Sequence, residues 1–70
     1  MTVVGKNIDR LIKDRRISQH ELARMAGVTQ PLISYLVNGS TQAGRPSTLI
    51  KIAGALGVSV ADLWREEKTS

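Results

Sequence analysis

Apolar side chains recur along this chain at helical spacing, in short blocks divided by glycine, serine and proline. Val4, Ile8, Leu11 and Ile12 fall at i, i+4, i+7 and i+8, one stripe of a 3.6-residue helix. Its other face carries Lys6, Arg10 and Lys13. Arg15 and Arg16 fall in the predicted last turn, where cations suit the helix dipole. Ser18-Gln19-His20-Glu21 then reads as a capping box, in which Ser18 and Glu21 satisfy each other's orphan amides. It opens a second helix with Leu22, Ala23 and Ala26 inward. Gly27 ends that helix, because glycine takes the left-handed backbone of a tight helix end. Thr29 is the next N-cap, and Pro31 falls in a first turn, where its missing N–H costs nothing. Ile33 and Leu36 face inward from this third helix, which Asn38-Gly39 ends.

Ser40 to Pro46 reads as a loop, small and polar with Gly44 inside it. A fourth helix then buries Leu49, Ile52, Ala53 and Leu56, and Gly57 closes it. Gly54, inside it, costs about 1 kcal/mol relative to alanine; a close helix approach would explain its presence, and so would chance. Ser59-Val60-Ala61-Asp62 repeats the capping-box logic with aspartate in the acidic place. The last helix carries Val60, Leu63 and Trp64. The expected fold class is therefore all-α, one compact domain over residues 1–66 with a polar tail at 67–70. No strand period and no internal repeat interrupts the reading.

Composition narrows the functional classes. Seventy residues make one small domain, with little room for a deep catalytic cleft. There is no cysteine and one histidine, His20, so neither a thiolate nor a histidine metal cluster can be assembled, and no metal or cofactor is expected. A Ser/His/Asp or Cys/His catalytic set is equally remote, and Asp9, Asp14 and Glu21 fit surface and capping roles. No apolar run approaches the roughly 18 residues of a membrane span, and Met1 to Lys6 lack the pattern of a secretory signal, so a cytoplasmic protein is expected. The net charge is +4, with Lys and Arg at ten against six Asp and Glu. The whole excess lies in the first two-thirds, before Ser47. That asymmetry points to a polyanionic partner.

Gln19 to Asn38 has the specific parts of a helix-turn-helix. Ala23 is small enough for a helix crossing, Gly27 is permissive enough for the turn, and Leu22, Ala26, Val28, Ile33 and Leu36 anchor both helices. Gln30, Pro31, Ser34 and Tyr35 then face outward, on a helix that B-DNA's major groove can admit. "SQHELARMAGVTQPLISYLVNG" and "PSTLIKIAGALGVSVADLW" resemble helices two and three, and four and five, of the Cro/lambda-repressor-like (XRE-type) family. The resemblance covers about Val4 to Trp64. It implies a five-helix domain, sequence-specific binding of double-stranded operator DNA and, often, a homodimer.

Carried over residue by residue, the resemblance implies that Gln30 reads a base, and that Ser34 and Tyr35 are further groove-facing positions. Gln19 matches a position that meets phosphate or supports the base readers. Asn38, Ser40 and Arg45 match places where amides and cations meet phosphates. Arg10 and Arg24 are further phosphate candidates by charge alone. Pro31 departs from the polar residue common at its position, so a contact there is apolar, as with a thymine methyl. Tyr35 stands where Arg or Gln is common. Arg16 stands where glycine is common, which leaves the shape of the first turn open.

Simpler roles compete with these. Gln30 fits a solvent-facing helix residue, and Tyr35 fits a ring packed over Leu32 or Val37. Leu32 and Val37 are more apolar than a solvated helix needs; extra core, a methyl-rich groove or a partner would each account for them. Trp64 fits the edge of the core or, with Val58 and Val60, a contact between two copies. The leading functional expectation is a DNA-binding transcriptional regulator of repressor type, from a phage, prophage or bacterium. The alternative is a protein-interaction module, an antitoxin or adaptor using Leu32, Val37 or Trp64.

Overall fold

The computed structural model describes residues 3–38 and 46–65. Five helices occur in the expected order: α1 (Val3–Asp14), α2 (Gln19–Ala26), α3 (Gln30–Val37), α4 (Pro46–Leu56) and α5 (Val60–Trp64). Among the described residues there is no strand. Gly39, Ser40, Arg45 and the tail from residue 66 lie outside them.

Each helix contributes its predicted stripe to one aliphatic core. Val4, Ile8 and Ile12 of α1 meet Leu22, Ala23 and Ala26 of α2, Ile33 and Leu36 of α3, and Leu49, Ile52, Ala53 and Leu56 of α4, with Leu63 of α5 fully buried among them. Val37 also belongs to this core. Its apolar character is thereby accounted for as packing, and it is unavailable to a groove or a partner. Leu32 is half-buried against the same cluster.

Two capping boxes form as the serine–acid spacing requires. The Glu21 amide donates to Ser18 Oγ at 3.0 Å and the Ser18 amide to a Glu21 carboxylate oxygen at 3.2 Å. At α5 the Asp62 amide donates to Ser59 Oγ at 3.2 Å and the Ser59 amide to Asp62 Oδ2 at 3.0 Å. Thr29 Oγ1 accepts from the Leu32 amide at 3.4 Å. Pro46, read from sequence as the end of a loop, is instead the first residue of α4, where a proline sacrifices no helical hydrogen bond.

The first turn differs from expectation. Helix α1 ends at Asp14, so Arg15 and Arg16 lie beyond its last residue rather than in its last turn. Arg16 adopts φ +55°, the left-handed conformation that Gly27 and Gly57 take at φ +73°. The Arg16 amide donates to the Lys13 carbonyl at 3.1 Å and the Ile17 amide to the Ile12 carbonyl at 3.0 Å. The same pair of bonds recurs at Gly27–Val28 and at Gly57–Val58. All three helix ends are therefore Schellman motifs, and the replacement of glycine leaves the turn's shape intact.

One polar side chain is built into the core. Asn7 is 2% exposed. Its Nδ2 donates to the carbonyls of Leu63 at 2.7 Å and Arg65 at 2.8 Å, and its Oδ1 accepts from Arg10 at 3.2 Å. It thus supplies the terminal carbonyls of α5 with the partners that a helix end otherwise lacks.

Candidate nucleic-acid interface

Helices α2 and α3 form the motif that the spacing predicts. The N-caps Ser18 and Thr29 start them, and Gly27 turns the chain between them. Leu32, Ile33, Leu36 and Val37 line one side of α3. At about 100° per residue, Gln30, Ser34, Asn38, Pro31 and Tyr35 share the remaining arc of about 140°. Gln30, Pro31 and Asn38 are exposed and Ser34 is half-buried. Tyr35 is 48% exposed, so about half of its surface stays open to a ligand. Asn38 Nδ2 donates to Ser34 Oγ at 3.2 Å, which orients both side chains and leaves the serine proton and the asparagine carbonyl oxygen to serve a ligand.

This face carries no charge, because Gln30–Val37 contains no Lys, Arg, Asp or Glu. The cations lie elsewhere. Arg24 is exposed on α2 and Gln19 is half-buried at that helix's first position. Lys13 is held by Asp9 at 2.9 Å and Arg65 by Asp62 at 3.0 Å. Arg10 is exposed, but its bond to Asn7 anchors it at the α1–α5 seam rather than on either helix of the motif. Ser40 and Arg45 lie outside the described residues.

The three apolar residues suggested for a contact between copies separate into two kinds. Val58 and Val60 pack against the core, whereas Trp64 is 51% exposed. Reading the sequence missed two further exposed apolar residues, Met25 and Ile50, the latter 61% open. Nothing in their spacing distinguishes them from core positions, except that each falls off its helix's main stripe. Gly54 has open space where a Cβ would stand, so no close helix approach among the described residues requires a glycine there. Among the described residues no cluster of His, Asp and Glu is placed to hold a metal ion, and no helix is long and apolar enough to cross a membrane.

A five-helix core presenting a two-helix motif, with the second helix open along an uncharged face, defines a helix-turn-helix domain. Residues 7–67 match the model of the Cro/C1-type HTH DNA-binding domain. The chain belongs to that family. It is also similar to the uncharacterized HTH-type transcriptional regulator YozG of Bacillus subtilis (strain 168), at 39% identity over 57 residues, which span 81% of this chain and 68% of that protein.

Proposed function

We propose that this chain is a sequence-specific transcriptional regulator that occupies an operator as a homodimer and represses by blocking polymerase, in the cytoplasm and without chemistry on the DNA. The observation that carries this reading is the arc of α3 on which Gln30, Pro31 and Asn38 are exposed, Tyr35 is about half exposed and Ser34 is half-buried. Family membership and the regulator similar to it support the same reading. Gln30 stands in the first turn of α3, the part of a recognition helix that meets base edges. Its amide can pair with adenine N6 and N7. Pro31, Ser34 and Tyr35 complete the base-facing set. Gln19, Arg24, Asn38, Ser40 and Arg45 serve the phosphates, with Arg10 as an outlying cation.

The test is titration of selected and random duplexes against salt. Specific binding with a steep salt dependence, about 0.9 log units per log unit for each phosphate met, is expected. Gln30→Ala costs about 1–3 kcal/mol on the preferred site and relaxes one base pair. Arg45→Ala weakens all sites alike and flattens the slope by about one unit. An unchanged consensus in Gln30→Ala would remove glutamine as the base reader. The alternative role as a protein-interaction module has lost Val37 to the core and keeps Trp64 as its best surface residue.

A further inference from the structure

We infer that α3 reads A·T base pairs, and that thymine C5-methyl groups are a required part of the half-site. The inference rests on the DNA-binding reading above and specifies which DNA. Its basis is the chemistry left on the open arc of α3. Guanine presents two acceptors in the major groove, O6 and N7, and the commonest side chains that read them are Arg and Lys. Cytosine presents an N4 donor, which Asp and Glu accept. Helix α3 offers no charge of either sign, so a G·C pair beneath it finds neither its cationic nor its anionic reader.

What the arc does offer matches an A·T pair. Gln30 presents a donor and an acceptor on one amide, the complement of adenine N7 and N6. Pro31 and Tyr35 are four residues apart, so they stand one above the other on the same face, with Cβ atoms about 5–6 Å apart. The pyrrolidine ring and the ring carbons of Tyr35 make a short apolar strip on the arc that Gln30 shares, with the phenol hydroxyl at its outer end. In the major groove, the apolar group on a base edge is the thymine methyl. Ser34 already accepts the Asn38 amide, so its hydroxyl proton is free to meet an acceptor such as thymine O4. Glutamine and strip therefore favour the same base pair by two different interactions, and the hydroxyl, which meets an acceptor on either pair, is compatible with it.

The consequence for energetics is a division of roles. Affinity from counterion release comes from cations off α3, and discrimination comes from contacts that are almost insensitive to salt.

The closing experiment uses the intact chain. Bound duplexes are selected from a random library, and each thymine of the consensus is replaced by deoxyuridine, which deletes only the methyl. Positions under α3 are identified as those whose preference shifts in Gln30→Ala or Tyr35→Ala. At those positions the consensus should be A·T, and uracil should weaken binding about fourfold per contacted methyl, the transfer value of one buried carbon. Tyr35→Ala should lower affinity for the thymine duplex and abolish the thymine–uracil difference at one position. Tyr35 is about half exposed and lies outside the buried core, and an unchanged thermal unfolding curve for the variant separates its loss of binding from a loss of folding. Required guanine at those positions, or equal binding of thymine and uracil duplexes, overturns the inference while leaving a DNA-binding regulator in place. Absence of any sequence-selective binding removes the regulator reading itself, and the two failures are distinct on the same gel.

Discussion

Arg16 holds a backbone conformation that costs an L-residue energy and costs glycine little. The left-handed region disfavours a Cβ by roughly 1–2 kcal/mol, and glycine's extra chain entropy returns about 0.5–1 kcal/mol of that difference. Arg16→Gly should therefore stabilise the domain by up to about 1.5 kcal/mol, raising Tm by as much as about 6–12 °C. A fall in Tm on thermal unfolding would show that the arginine side chain contributes more than its strain. At this scale the sequence was partly legible. The conflict at Arg16 was visible only through the family resemblance, which has glycine at that position. Asn7 was not read as buried, since a lone amide beside Arg10 resembles surface. The signal was its spacing, one turn from both Val4 and Leu11, at the edge of the apolar arc. Val37 and Trp64 could not be told apart by residue type, because their exposure depends on how far a neighbouring helix reaches.

Helix ends were the most legible elements, because capping is local chemistry. The Ser18–Glu21 and Ser59–Asp62 boxes and the Gly27 and Gly57 stops need only a few consecutive residues, and all four form. The end of α1 was misplaced because its stop residue is an arginine, a good helix former by propensity. The box at α5 also makes a pH-dependent contribution. The Asp62 carboxyl is held below its ordinary range, first by the Ser59 backbone amide, then by the Ser59 side chain, with Arg65 adding a smaller effect against opposing desolvation. A depressed folded-state pKa means that the contribution is complete above the unfolded-state value and is lost as pH falls through the lower, folded one. Asp62→Asn should therefore lower Tm at neutral pH and flatten its decline on the acid side. Parallel acid-side curves for both proteins would discount the box as an electrostatic element.

At the scale of the whole molecule, the five-helix order follows from the stripes, but the pairing of surfaces between copies does not. A small domain reads few base pairs, so two copies on half-sites about 34 Å apart are expected. The longest dimension of the domain is 33 Å, which lets neighbouring copies touch while their α3 helices stand one DNA turn apart. With Val58 and Val60 packed inward, Trp64 is the remaining exposed member of the suggested contact. Trp64→Ala should reduce the steepness of binding to a two-half-site duplex while leaving single half-site affinity within about twofold, since surface substitutions away from a contact change little. Equal loss on both duplexes would place Trp64 on the DNA side.

The amide of Asn7 has a consequence in time. Its partners, the carbonyls of Leu63 and Arg65, lie 56 and 58 residues further along the chain. A ribosome adding roughly 5–20 residues per second takes about 3–12 s to pass from Asn7 to these partners. Throughout that interval α1 is already made, but the segment that closes its polar contact does not exist. The first helix of this domain is thus among the last of its elements to be completed, and the nascent domain reaches its native state only after residue 65 has cleared the exit tunnel.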